Sequence, residues 1–129
     1  MSHDLDWAVS GPPVGTWTTS NGTFDGVMLD TLTIAADGTG WLKTFSPMRG
    51  AELFPLMWIQ ASPGVLKLAL LFPDDDPTEA PQYETVRYNA VEVSRDVGNT
   101  SVVLQNDDDD VFWNLVGPVS LESRVPRAP

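Results

Sequence analysis

Few side chains in this sequence have the types and spacing that catalysis requires. The single histidine, His3, is third in the chain. Histidine-based triads, zinc sites and imidazole bases all need the ring on a rigid element. Cysteine is absent, which excludes disulfides, thiolate metal sites and thiol nucleophiles. No Gly-x-Ser-x-Gly, phosphate-loop or Gly-x-Gly-x-x-Gly spacing occurs. Glu84 and Glu92 are the carboxylates that fall in strand-like segments. A general acid there needs an apolar surround that raises its pKa, and outward-facing solvated charge is the simpler reading. Asp74, Asp75, Asp76 and Glu79 form one acidic cluster, and Asp107 to Asp110 another. Calcium needs six to eight converging oxygens, whereas consecutive aspartates diverge and repel, so both runs read as solvated turns. The expectation is no catalytic residue, no metal and no cofactor. An enzyme that only orients a reactive substrate in an apolar pocket stays open as an alternative.

The aromatic residues carry more information. Trp41, Phe45, Trp58, Tyr88, Phe112 and Trp113 all fall in strand-like segments. In a barrel, inward-pointing members of such a set line a small-molecule pocket or fill the interior outright. The pocket reading assigns Trp41, Phe45, Trp58, Gln60, Tyr88, Trp113 and Asn114 to a small hydrophobic or aromatic ligand, with Arg87 as a further orienting group. Lys43, between Trp41 and Phe45, reads as a surface lysine laid over two exposed rings.

These residues need strands to position them. In residues 30–46, Leu32 and Ile34 alternate with Thr31 and Thr33, a period of two with β-branched residues. Asp37-Gly38 supplies a tight turn, Gly40 relieves the twist beyond it, and residues 41–45 return. Further strands are expected at 14–19, 56–61, 65–72, 83–94, 101–105, 111–116 and 119–125, with a connecting segment at 24–29. Residues 56–61 are apolar on both faces, so a cover is expected on each, from the N-terminal arm or a partner. In residues 83–94, Val86, Tyr88 and Ala90 have one parity and Val91 and Val93 the other, which predicts a bulge near Asn89. The fold class is all-β: a single antiparallel up-and-down barrel of eight to nine strands. The expected organisation is an irregular arm at 1–13, in which Trp7 docks, a barrel at 14–125 and a tail at 126–129.

Length and charge bound the rest. The chain has 129 residues, enough for one domain, with a formal net charge of -11. Nucleic acid and anionic membranes should repel it, and a basic protein partner would be steered to it. No run of about 18 apolar residues suits a membrane helix. The N-terminus lacks the charged and apolar regions of a secretory signal, so a cytoplasmic location is expected, with secretion of a processed form left open. An acidic interaction module is the alternative to ligand binding: a homodimer, or an inhibitor or immunity-type partner of a basic protein.

Gly15-Thr16-Trp17 on the first strand, the Leu32-Thr33-Ile34 to Asp37-Gly38-Thr39-Gly40 hairpin, Met57-Trp58-Ile59 and the strand after it resemble the lipocalin-like group of small calycin barrels. The resemblance spans most of residues 14–125. It implies that Trp17 closes one end of the barrel. It also implies that an arginine from the last strand packs over that indole, with Arg124 the best positional match and Arg127 the second. The chain is shorter than the longer lipocalins and lacks their C-terminal helix and cysteines.

Overall fold

The computed structural model describes residues 6–19, 29–46, 48, 50–71, 78, 80–96, 99–107, 112, 113, 115 and 118–126. In chain order the elements are α1 (Asp6–Val9), β1 (Gly15–Thr18), β2 (Leu29–Ile34), β3 (Thr39–Ser46), β4 (Gly50–Ser62), β5 (Val65–Leu70), β6 (Glu84–Asp96), β7 (Asn99–Asn106) and β8 (Val119–Ser123). Each strand pairs antiparallel with the next, and β1 also pairs with β8. The result is a closed up-and-down barrel of eight strands.

The β2–β3 hairpin forms for the reason its sequence suggests. Gly38 takes a φ of 91°, and the Ala35 N–H donates to the Thr39 carbonyl at 2.9 Å. The Asp37 carboxylate accepts from the Thr39 hydroxyl and from its N–H, and these bonds hold it below the usual aspartate value. Gly40 has a different task from the expected relief of twist. A Cβ there would run into the Thr33 carbonyl and lie 2.9 Å from Leu56 Cδ1. Its missing side chain admits Leu56, which is buried.

Three segments depart from the expected strands. Residues 111–116 were expected as a strand, but Phe112, Trp113 and Leu115 lie in a turn. Phe112 and Trp113 are consecutive and both buried. The chain turns here, with Trp113 at a φ of 57°. Asn89 carries no bulge: β6 pairs with β5 as far as Arg87 and with β7 from Tyr88 onward, and its register shifts only between Ser94 and Asp96. One parity is kept because Val91 and Val93 are accommodated on the outer wall, Val93 being exposed. Within the arm expected to be irregular, α1 makes one helical turn whose Ala8 is fully buried. The expected connecting segment at 24–28, the acidic residues 74–76, 79 and 108–110, and Arg127 lie outside the described residues.

Inward side chains from all eight strands pack into one apolar cluster that includes Trp17, Leu32, Leu42, Trp58, Leu68, Val86, Leu104 and Val119, with Leu121 packed against it. Trp17 is wholly buried and donates its indole N–H to the Pro13 carbonyl at 2.9 Å. Gly15, at a φ of 151°, lets β1 lie against β8, since a Cβ would come within 2.6 Å of the Ser123 carbonyl. The arginine expected over Trp17 is one ring further out. The Arg124 guanidinium lies 4.0 Å from the centre of the Trp7 ring, and Trp7 in turn stacks on Trp17 with centroids 5.9 Å apart and planes at 24°. Trp7 intervenes because α1 brings it over the end of the barrel. Trp17→Ala is expected to cost about 3–5 kcal/mol in chemical denaturation, and Arg124→Ala, which removes only the outermost exposed layer, about 0.5–1 kcal/mol.

Candidate functional site

Gln60 and Tyr88, two of the polar groups expected to orient a ligand inside the barrel, bond instead to backbone carbonyls of the chain. A single helical turn leaves its carbonyls without partners in the helix. The barrel supplies them: the Tyr88 hydroxyl donates to the Ala8 carbonyl at 2.6 Å, and Gln60 Nε2 to the Val9 carbonyl at 2.8 Å. The Gly64 N–H donates to the same Val9 oxygen at 3.0 Å. Trp58 gives its indole N–H to the Ala35 and Thr39 carbonyls of the β2–β3 turn, at 2.8 and 3.0 Å. Trp58, Gln60 and Tyr88 are thus brought together on the interior side, where they anchor α1 and a hairpin.

Trp41 and Phe45 are not with them. Both share the parity of exposed Lys43, opposite to buried Leu42, and belong to the outer wall. The register sets Trp41 beside Pro55, Lys43 beside Leu53, Met57 beside Ala69 and Ile59 beside Lys67. Phe45, Leu53, Met57 and Ile59 are 40, 46, 36 and 48% exposed. The apolar outer face of β4 is therefore open, and α1 meets this strand through Gln60 instead. The chain has 18 carboxylates and 7 cations. Among the described residues, the outward positions of β2 to β6 carry Lys43, Lys67 and Arg87 and no carboxylate. Both lysines of the sequence are in this set.

Trp113 belongs to the same buried cluster as Trp58 and Tyr88 and also reaches a cleft at its edge. It lines this cleft of about 600 Å³ with Val86, Arg87, Asn106 and Asp107, where β6 runs past the end of β7, and Glu84 and Thr85 complete the rim. Asn106 holds the Trp113 peptide from both sides, accepting its N–H at 3.0 Å and donating to its carbonyl at 3.4 Å. The neighbouring Phe112 meets Tyr88 edge-on at 5.7 Å. Asn114 lies outside the described residues. Of the expected carboxylates, Glu84 and Glu92 are both exposed.

No protein-family model, curated protein or solved structure matches the chain. The class is set by the fold alone, a closed eight-stranded antiparallel barrel. No helix among the described residues is long and apolar enough to cross a membrane, and no group of three or more metal-ligating side chains occurs among them. Sequence reasoning anticipated the docking of Trp7, which stacks on Trp17, but not the helical turn that carries it or the bonds from Tyr88 and Gln60 that hold it.

Burial pushes the Tyr88 phenol far above its ordinary value. The unfolded chain then loses this proton first as pH rises, so the contribution of Tyr88 is complete below about pH 10 and declines above it. Denaturation midpoints of the wild type should fall with pH in the alkaline range. In Tyr88→Phe that component of the slope should vanish, while stability at neutral pH drops by about 1 kcal/mol for the lost bond to Ala8.

Proposed function

We propose that this protein is a non-catalytic, lipocalin-like barrel that acts as an interaction module, docking a protein partner on the outer wall of β3 and β4. The observation that carries this reading is the set of four large, exposed apolar side chains, Phe45, Leu53, Met57 and Ile59, on two adjacent strands. A contiguous apolar patch on a folded surface marks a binding site more often than a scattered residue does. The closed barrel, Gly15 and the buried Trp17 support the lipocalin-like assignment. The interior-ligand reading has weaker support, because Trp58, Gln60 and Tyr88 bond to the chain's own carbonyls.

The charge on the wall selects the partner. Net charge alone favours a basic protein, yet this face carries Lys43 and Lys67 beside its apolar residues and no described carboxylate. The complementary surface is apolar at its centre and bears carboxylates opposite the two lysines. Selection from a displayed peptide library tests this. The expected winners combine apolar residues with Asp or Glu. Leu53→Asp and Ile59→Asp should weaken them about tenfold or more while leaving the denaturation midpoint nearly unchanged, since both side chains are exposed. Lys43→Glu with Lys67→Glu should turn selection towards basic peptides. Basic winners from the wild type, or binding indifferent to Leu53→Asp and Ile59→Asp, would refute the assignment. So would a dimer in light scattering that both aspartate variants dissolve, which would make a second copy the occupant.

A further inference from the structure

The apolar line on the outer wall has a definite width as well as a composition. Along β4 the outward positions are Ala51, Leu53, Pro55, Met57 and Ile59, with no polar side chain among them. Beside this line lie Phe45, Lys43, Trp41 and Thr39 of β3, and Ala69 and Lys67 of β5. One strand further out the apolar character ends. The outward positions of β2 are Thr31 and Thr33, and those of β6 at this height are Thr85 and Arg87. Adjacent strands are about 4.8 Å apart, so the face from β3 to β5 is about 10 Å wide. One α-helix with its side chains is about 10–12 Å across, whereas a packed sheet would cover several more strands. The wall of a closed barrel is also convex, and it falls away from a straight rod on either side.

Backbone chemistry favours the same shape. An extended segment laid on these side chains would turn its own N–H and C=O groups towards apolar atoms, where they find no partner. A helix satisfies those groups internally. At Leu56 and Met57, β4 is paired with β3 on one side and β5 on the other, so the centre of the line offers side chains and not a strand edge. The two lysines then set the register. Lys43 stands beside Leu53 on the β3 flank, and Lys67 beside Ile59 on the β5 flank. Leu53 and Ile59 are about 20 Å apart along the strand, which at 1.5 Å per residue is about 13 helical residues. Taking this wall as the docking surface, we propose that its occupant is a single amphipathic α-helix of the partner protein, lying along β4. Its apolar stripe covers Leu53, Pro55, Met57 and Ile59. A carboxylate on each flank of that stripe, the two about 13 residues apart, meets one lysine each.

Two displayed libraries selected against the full chain test this. One randomises a face of a stable three-helix scaffold, the other a face of a small β-sandwich scaffold. Binders weakened by both Leu53→Asp and Ile59→Asp should be at least about tenfold tighter from the helical library. In those binders Lys43→Glu should weaken affinity about fivefold, restored by lysine at one acidic position only, and Lys67→Glu likewise at the other. All four substitutions are at exposed positions, and an unchanged denaturation midpoint confirms that each variant is folded. Sheet binders that depend on Leu53 and Ile59 and equal the helical ones would overturn the helix while leaving the docking surface standing. So would one acidic position that compensates for both lysines. If no binder from either library depends on Leu53 and Ile59, the docking surface falls and the helix with it.

Discussion

A closed barrel has ends, and the sealing of one end organises this molecule. The Trp17 indole forms the innermost layer, Trp7 stacks on it and the Arg124 guanidinium covers Trp7. These three residues come from β1, from α1 and from the segment just after β8. The seal therefore exists only when the first and last elements are both in place. Apolar stacking accounts for most of its energy, and the cation, exposed at the surface, adds a small share. Hydrogen bonds from Tyr88, Gln60 and Gly64 to the carbonyls of α1 fix the helix laterally. An arm with so few residues holds no helix by itself; its conformation is imposed by the barrel.

The strands were legible wherever one face is apolar and the other polar. Leu32 and Ile34 against Thr31 and Thr33, followed by Asp37-Gly38, gave the β2–β3 hairpin and its register. Trp17 was legible as the buried plug from Gly15-Thr16-Trp17. The reading failed where both parities are apolar. Trp41 and Phe45 look like interior residues because aromatic side chains usually are, yet Gly40 and Leu42 hold the inward positions of β3. Phe112-Trp113 looks like strand and is a turn, in which Trp113 takes a φ of 57°. The docking of Tyr88 on Ala8 joins residues 80 apart in sequence, a distance no local pattern encodes.

Total charge proved a poor guide to local surface. A chain at -11 suggests an acidic exterior throughout, yet pleating divides each strand into two populations. Lys43 and Lys67 emerge on the same side of the sheet as Phe45, Leu53, Met57 and Ile59. Glu52 has the opposite parity to Leu53, and Asp30 is buried on the inward side of β2. Burial of one face thus decides which charges the other face displays, and a single insertion in β3 or β4 would exchange the two sets.

The separation between partners also has a temporal side. Thr16 donates to the carbonyl of Val125, 109 residues away, and β1 finds its second neighbour only in β8. During synthesis α1 and β1 are made well before β8 and Arg124. Until then Trp7 lacks its arginine cover, and β1 has one open edge. Every other pairing joins consecutive strands, so the one distant pairing closes last, and that interval is when an exposed strand is most prone to join another chain.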